Sequence, residues 1–169
     1  WLVPYISRAK ELGFETYVTD WSDEAPGKPY ADVFEAIDLR DKAKTLEFAI
    51  KHEVNAIFTG AEIGVQTAAW VADKIGVFYH SIDLALQASD KSAMRNKAKE
   101  IKLPIPEFSC VQSVIQAEKA AQQIGYPVII KPVDNFSSRG VIVVNNTKEL
   151  KANFQESMDS SNKGQVLVE

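Results

Sequence analysis

Residues 126–141, with the sequence YPVIIKPVDNFSSRGV, decide the fold prediction for the second half of the chain. An apolar run predicts a strand over Pro127–Lys131, a polar loop over Asp134–Gly140 and a second strand over Val141–Asn145. The first strand ends in a lysine, Lys131, whose ammonium group is costly to bury without an anion beside it. A phosphate group would satisfy that charge. The loop adds hydroxyls, backbone N–H groups and one guanidinium, which are donors that a polyphosphate needs.

The residues alone leave a second interpretation of this stretch open. A surface hairpin could carry the same lysine, with the aliphatic part of Lys131 packed on the protein and its ammonium group in water. A further lysine, Lys91, directly follows Asp90 at the start of a predicted helix. The positive end of a helix dipole disfavours a cation there. Lys91 is therefore either an ordinary exposed lysine or a cation placed to meet an anion.

Two helices and an extended segment precede residues 126–141. Ser89 is expected to cap a helix over Asp90–Lys102, and the LPIP segment that follows forces extended backbone. Ser113 and Gln116 have the spacing of a capping box, which predicts a further helix.

A helix and a strand follow the same stretch. Thr147 is expected to cap a helix, and Gln165–Glu169 begins one more strand. The helix repeats apolar residues at every fourth position, namely Leu150, Phe154 and Met158. A hairpin followed by a helix and a returning strand predicts an α+β subdomain whose sheet carries its helices on one face.

The first half of the chain alternates strands with helices. Its predicted strands are Glu15–Thr19, Val33–Ile37 and Val54–Thr59. Asp41 is expected to cap the helix between the last two strands. This alternation is typical of an α/β unit with a Rossmann-like parallel sheet. Such a unit starts with a strand, whereas this series opens on a helix, so we expect the first strand to lie upstream of Trp1. We place the boundary near Ala88, which gives domains over residues 1–88 and 89–169.

Composition excludes several classes of protein. The 169 residues are 46% hydrophobic and 25% charged, with a net charge of −4. Interleaved charges argue against a nucleic-acid-binding surface, and no apolar run approaches the ~20 residues of a membrane span. Since Cys110 is the one cysteine, we interpret it as a small buried hydrophobe and expect a reducing cytoplasm. The glycines form neither a Walker P-loop pattern nor G-x-G-x-x-G.

Taken together, residues 89–169 resemble the ATP-grasp superfamily. The resemblance rests on Asp-Lys opening a helix, the Pro-x-Pro segment, GYPVIIKP over residues 125–132, SSRGV over residues 137–141 and the final VLVE. It implies that residues 1–88 form the Rossmann-like domain that precedes ATP-grasp in these enzymes. Residues 89–169 would then be the first, incomplete part of the ATP-grasp domain.

The resemblance also implies roles for individual residues. Lys91 and Lys131 correspond to the two family lysines that contact ATP phosphates, and Glu169 falls near the adenine-binding hinge. The flexible loop that folds over the γ-phosphate corresponds to Ser137, Ser138, Arg139 and Gly140. Arg139 would, in addition, stabilise negative charge on the transferred phosphate.

The implied activity is that of an ATP-dependent ligase. A carboxylate would attack the γ-phosphate of ATP to give an acyl phosphate and ADP. An amine or a thiol would then attack the acyl carbon and displace phosphate. Mg²⁺ would be needed, with its ligands beyond residue 169 and no metal site within this chain. The implied partners are a small-molecule carboxylate and amine, with a second copy of the chain as a potential partner and neither nucleic acid nor membrane.

The sequence of the loop over residues 134–140 indicates which members of the superfamily the chain resembles most. With Gly140 as its one glycine, it is similar to carbamoyl-phosphate-synthetase-like proteins and amino-acid ligases, and less similar to biotin carboxylases. Substrate contact is expected from Glu62 and Asp20, which follow predicted strands at the carboxyl ends where ligands bind. Each could instead be a plain loop carboxylate, since strand-end aspartates often cap loops.

Two other functions stay open from the sequence. A catalytically inactive ATP-binding module would keep the lysines but lose the downstream metal ligands. A dinucleotide-binding, dehydrogenase-like domain would carry its G-x-G-x-x-G before Trp1. The chain lacks an initial methionine and stops within a predicted strand, so we expect it to be a piece of a longer protein.

Overall fold

The computed structural model describes residues 2–169 of the chain. The fold consists of two compact units that divide after Ala85, whereas the sequence placed the boundary near Ala88. The helices are α1 Val3–Glu11, α2 Lys42–Lys51, α3 Val65–Ile75, α4 Ile82–Ser89, α5 Lys91–Glu100, α6 Val114–Ile124 and α7 Thr147–Asp159. The strands are β1 Tyr17–Asp20, β2 Val33–Ala36, β3 Ser109–Val111, β4 Val128–Pro132, β5 Ile142–Val144 and β6 Val166–Val168. Short 3₁₀ turns cover Lys28–Tyr30 and Glu62–Gly64.

The first unit is built on a parallel strand pair. β1 and β2 run parallel, with Tyr17 opposite Val33 and Asp20 opposite Ala36. Asp41 caps α2 by accepting a hydrogen bond from the N–H of Lys44, as the sequence predicts. The parallel pairing and the helices between the extended segments confirm the α/β prediction for this unit.

The predicted strand Val54–Thr59 does not form among the described residues. The N–H of Val54 donates to the carbonyl of Ala49 and so closes the end of α2. β1 pairs with β2, and no further strand of residues 2–169 joins this sheet. An apolar, β-branched segment forms a strand only where an adjacent strand hydrogen-bonds to its backbone N–H and C=O groups. The ring of Phe58 packs instead on Tyr5, at 5.1 Å between centroids.

The second unit is a four-stranded antiparallel sheet with two helices on one face. The strand order is β3-β6-β4-β5. α6 and α7 cover the face formed by alternate strand residues, and this face is the core of the unit. Its fully buried members include Ile130, Val144, Leu150, Val166 and Val168. The predicted α+β arrangement, with helices on one face of the sheet, is therefore confirmed.

Two of the predicted helix caps lie one residue away from their expected positions. Asp90 rather than Ser89 caps α5, because Ser89 is the last helical residue of α4 and so lacks the extended backbone that a cap needs. Asn146 rather than Thr147 caps α7, and its side chain accepts a hydrogen bond from the N–H of Glu149 at 3.0 Å. The predicted Ser113 cap of α6 is confirmed.

The interpretation of Cys110 as a buried residue is wrong. β3 is an edge strand of the sheet, and Cys110 is exposed on it. Its neighbour Val111 joins the core, so strand alternation turns Cys110 to the opposite face. Sequence composition cannot reveal which residues of a three-residue edge strand face the helices.

Candidate functional site

The candidate site lies on the outer face of the second unit's sheet, opposite α6 and α7. On β4, Val128 and Ile130 enter the core, so Ile129 and Lys131 face outward. Strand register places the outward residues in two rows. One row contains Cys110, Leu167 and Lys131, and the other contains Glu169, Ile129 and Val143. The face is therefore mostly apolar, with one lysine and one glutamate.

Lys131 is held by a carboxylate on the neighbouring chain segment. Its Nζ donates a hydrogen bond to Oε1 of Glu169, and the two side chains are 14% and 8% exposed. The backbone of Glu169 exchanges two hydrogen bonds with Ile129, at 2.7 and 3.0 Å, which fixes the position of the carboxylate. The strand-end lysine predicted from the sequence is therefore largely buried and ion-paired. It does not extend freely into water.

Arg95 is the third member of this cluster, and the sequence analysis missed it. Its Nε donates to Oε2 of Glu169 at 2.9 Å and its Nη2 donates to Oε1 at 3.2 Å. Two hydrogen bonds from one guanidinium group hold the carboxylate in a fixed plane, and they stabilise its negative charge. Arg95 lies four residues after Lys91 in α5, so the two share a helix face. This four-residue spacing was the one feature of the sequence that could have pointed to Arg95.

The cluster has an excess of positive charge. Burial raises the pKa of Glu169, but hydrogen bonds from Arg95 and Lys131 outweigh it and hold the pKa below its ordinary value. The glutamate is therefore ionised at neutral pH. Two cations and one carboxylate leave one net positive charge on the outer face of the sheet.

Lys91 lies at the start of α5, next to the end of β4. Its backbone N–H donates to the carbonyl of Val133 at 2.8 Å, and its Nζ donates to the carbonyl of Asn135 at 2.6 Å. The same ammonium group lies 5.8 Å from the ring centre of Phe136. The structure thus brings Lys91 to the first residues of the loop that follows Lys131. Both lysines singled out in the sequence belong to one region of the second unit.

The predicted phosphate-binding loop has a tight, exposed tip. Ser137 and Ser138 adopt positive φ angles of 59° and 58°, and Ser137–Arg139 are exposed. A positive φ at a residue other than glycine costs about 1–3 kcal/mol and is found preferentially at functional sites. Gly140 has a φ of 69°, which glycine adopts without strain. The loop therefore presents hydroxyls and N–H groups outward from a constrained backbone.

Asp20 and Glu62, the predicted substrate contacts, lie in the first unit. The carboxylate of Asp20 accepts a hydrogen bond from the N–H of Ser22 at 3.0 Å, which is the loop-capping geometry of a strand-end aspartate. Glu62 is exposed at the start of a 3₁₀ turn. Substrate contact by either residue stays a prediction. Across residues 2–169, no group of three or more His, Cys, Asp or Glu side chains is placed to hold a metal ion.

Comparison with known proteins covers both units. The chain is 26% identical over 165 residues to the formate-dependent phosphoribosylglycinamide formyltransferase of Wolinella succinogenes, matching 96% of the chain and 43% of that protein. It is 28% identical over 167 residues to the carbamoyl phosphate synthase large chain of Campylobacter jejuni, matching 95% of the chain and 15% of that protein. The chain thus spans less than half the length of these relatives.

The fold is shared with a solved structure. The biotin carboxylase domain of the Hydrogenobacter thermophilus 2-oxoglutarate carboxylase superposes with a TM-score of 0.80 and 21% identity, over 99% of this chain and 41% of that one. In the part of the chain that the structure describes, no helix has the length and apolar character needed to cross a membrane.

A family model matches the unit that carries the lysines and the loop. The match runs over residues 90–169, and the model describes the ATP-binding domain of the carbamoyl-phosphate synthase L chain. The resemblance drawn from the sequence is therefore confirmed. Over residues 90–169 the chain is similar to the ATP-binding domain of the carbamoyl-phosphate synthase L chain, a domain of the ATP-grasp superfamily.

Proposed function

We propose that the protein containing this chain is an ATP-dependent ligase that activates a carboxylate as an acyl phosphate. One observation carries the proposal: Lys131, Glu169 and Arg95 form a largely buried, net positive cluster at the end of β4, and the loop over residues 134–140 follows this strand. Relatives support it, because they include a carbamoyl phosphate synthase and a formate-dependent formyltransferase. A carbamoyl-phosphate-synthetase-like activity is the finer form of the proposal.

The residues fit a nucleotide in three ways. The apolar outward side chains Ile129 and Val143, which are not buried, offer a surface for a base. Lys131 and Lys91 offer cations for the phosphates, since an ammonium ion binds a phosphate as a point charge. The loop offers hydroxyls and N–H groups to the terminal phosphate. In this proposal Glu169 lies at the adenine-binding hinge, and Arg139 stabilises charge on the transferred group.

The chain's own residues would act mainly by position and charge. In phosphoryl transfer the protein orients the reacting groups and offsets negative charge that spreads over the phosphate oxygens. Lys131 suits that task because Glu169 and Arg95 hold its ammonium group in place before the nucleotide arrives. None of these residues needs to remove a proton. Mg²⁺ would supply further charge neutralisation, with ligands that the resemblance places after residue 169.

The substrates, cofactor and partners of the whole protein belong to the same proposal. The Hydrogenobacter thermophilus structure is a dimer in complex with MgADP, ADP and bicarbonate. We accordingly infer ATP and Mg²⁺ as cofactors, small-molecule carboxylate and amine substrates, and a homodimer. Glu62 and Asp20 remain our candidates for substrate contact. The single cysteine supports a cytoplasmic location.

The proposal is tested by trapping the intermediate. The full-length protein is incubated with ATP, Mg²⁺ and a panel of amino acids, bicarbonate and formate, and ADP release is measured with and without hydroxylamine. Hydroxylamine converts an acyl phosphate into a hydroxamate, so a carboxylate-dependent hydroxamate supports the ligase. ATP binding without carboxylate-dependent ADP release would instead identify an inactive ATP-binding module.

A further inference from the structure

A turn after α7 contacts both ends of the phosphate-binding loop. This segment, Ser160–Lys163, is here named the anchor turn. It follows the last residue of α7, Asp159, and precedes β6. None of its residues was singled out in the sequence.

The anchor turn holds the first residue of the loop through two hydrogen bonds. Oγ of Ser161 donates to Oδ1 of Asp134 at 2.6 Å, and the N–H of Lys163 donates to Oδ2 at 3.0 Å. Oγ of Ser161 also accepts a hydrogen bond from the N–H of Gln165 at 3.1 Å, so its direction is fixed. Both oxygens of the Asp134 carboxylate are therefore occupied by the anchor turn.

The same turn lies against the last residue of the loop. A Cβ atom added at Gly140 would come within 2.8 Å of Cβ and Oγ of Ser160, and within 3.2 Å of Cδ of Pro132. Contact this close leaves no room for a side chain. Ser160 itself is held by a hydrogen bond from its Oγ to the carbonyl of Glu156 at 2.9 Å. The end of the loop is thus packed on a fixed surface.

The turn also reaches the helix that carries Lys91. Nζ of Lys163 donates to Oδ2 of Asp90, whose side chain is 6% exposed. Oδ1 of Asp90 caps α5 by accepting a hydrogen bond from the N–H of Ala93 at 2.9 Å. The next residue, Lys91, donates from its backbone N–H to the carbonyl of Val133, directly before the loop. Lys163 therefore ties the start of α5 to the base of the loop.

We propose that the anchor turn positions the phosphate-binding loop relative to Lys91, with Lys163 as the positioning residue. This inference rests on the proposed function, because it assigns a role within the same ATP site. Among residues 2–169, no hydrogen bond or ion pair joins Lys163 to the loop tip or to Lys131. Lys163 acts through Asp90, whose buried carboxylate would otherwise lack a cation, and through its own N–H on Asp134. A loop held at both ends is preorganised, so ATP binding loses less conformational entropy.

Lys163→Met in the full-length protein tests the inference by two independent readouts. One readout is the rate at which trypsin cuts after Arg139, at the loop tip, followed by mass spectrometry of the fragments. Such cleavage follows the population of the open loop. The other readout is the dissociation constant for ATP from calorimetry. Loss of the charge pair should raise both by about fivefold, and Lys163→Arg should restore both towards wild type.

Lys151→Met is the matched control. Lys151 pairs with Glu118 at 2.9 Å in the same unit, between α7 and α6, and this pair does not involve the loop. The control should leave trypsin cleavage and ATP affinity unchanged. Equal behaviour of the Lys163→Met and Lys151→Met proteins would overturn the inference while leaving the proposed function intact. Failure of the wild-type protein to bind ATP would instead reject the proposed function, and the trypsin readout would still test the anchor turn.

A second variant covers the case in which Lys163→Met does not fold. Ser161→Ala removes one donor to Asp134 and leaves the Lys163–Asp90 pair in place. It should increase trypsin cleavage after Arg139 relative to Lys151→Met. An unchanged cleavage rate in Ser161→Ala would also contradict the inference.

Discussion

Arg95 shows how one residue determines the geometry of a site without matching any motif. It lies 74 positions before Glu169, so the pairing is visible only in the folded chain. A largely buried ion pair contributes little net stability compared with apolar side chains of similar size. We therefore interpret its role as positional: Arg95 fixes the glutamate, and the glutamate fixes Lys131.

Arg95→Met tests this arrangement at the residue scale. The change removes two hydrogen bonds to a buried carboxylate and should lower the free energy of unfolding of the second unit by about 1.5–3 kcal/mol. Urea unfolding at pH 7 measures the loss. Lys97→Met is the control on the same helix, because Lys97 makes an exposed pair with Glu100 that contributes about 0–1 kcal/mol. An equal loss in the two variants would contradict the proposed role of Arg95.

Asp32 should make the stability of the first unit depend on pH. Its carboxylate accepts hydrogen bonds from the N–H and Oγ1 of Thr16, both at 2.8 Å, and pairs with Lys10 at 2.7 Å. The hydrogen bond from Lys10, followed by those from Thr16, lowers the pKa of Asp32 from 3.8 to about 2. Because the folded pKa lies below the unfolded one, the stabilisation is complete above pH 3.8 and is lost as the pH falls towards 2.

Asp32→Asn should therefore be less stable than wild type at neutral pH. The difference between the two melting temperatures should shrink as the pH is lowered from 4 to about 2. Thermal unfolding by circular dichroism across this range measures it. A difference that stays constant down to the lowest pH would show that the charge of Asp32 is not responsible.

At the scale of elements, α7 both closes the core of the second unit and leads into the anchor turn. Leu150 and Phe154 pack on the sheet from this helix, with Leu150 fully buried. The repeat of apolar residues at every fourth position predicted this packing from the sequence. The helix thereby leads from the core to the turn that we propose positions the phosphate-binding loop.

Leu150→Ala should lower the free energy of unfolding of the second unit by about 2–5 kcal/mol, because it leaves a cavity between α7 and the sheet. Urea unfolding measures the change. Ile115→Ala is the control, since Ile115 lies on α6 with 64% of its surface exposed and should change stability by less than about 0.5 kcal/mol. Comparable losses at the two positions would mean that the core does not depend on α7.

The elements also mark where prediction from sequence succeeds and where it fails. The β4–β5 hairpin and the Ser113 and Asp41 caps depend on neighbours close in sequence, and local patterns predicted them. Strand pairing depends on distant partners, so the segment Val54–Thr59 was predicted as a strand that the described residues do not form. The exposure of Cys110 likewise follows from its place in the sheet, which is a property of the whole unit.

At the scale of the whole molecule, the chain consists of two compact units. It spans less than half the length of the relatives described above. The sequence predicted both fold classes and the superfamily of residues 90–169, because GYPVIIKP and SSRGV lie within one local hairpin. It did not predict Arg95 or the hydrogen bonds from the anchor turn to Asp134 and Asp90, because these contacts join residues 27 to 74 positions apart. The activity proposed here is therefore a property of the full-length protein.

The central claim is that Lys131 binds the phosphates of ATP, and calorimetric titration of ATP into the full-length protein tests it most directly. Lys131→Met removes a charge-assisted contact of about 1.5–3 kcal/mol, which corresponds to an affinity about 10-fold to 100-fold weaker. Lys151→Met is the control of equal charge change. We predict wild-type affinity for the control and a strong loss for Lys131→Met, with both proteins folded. Equal ATP affinity in the two folded variants would contradict the claim.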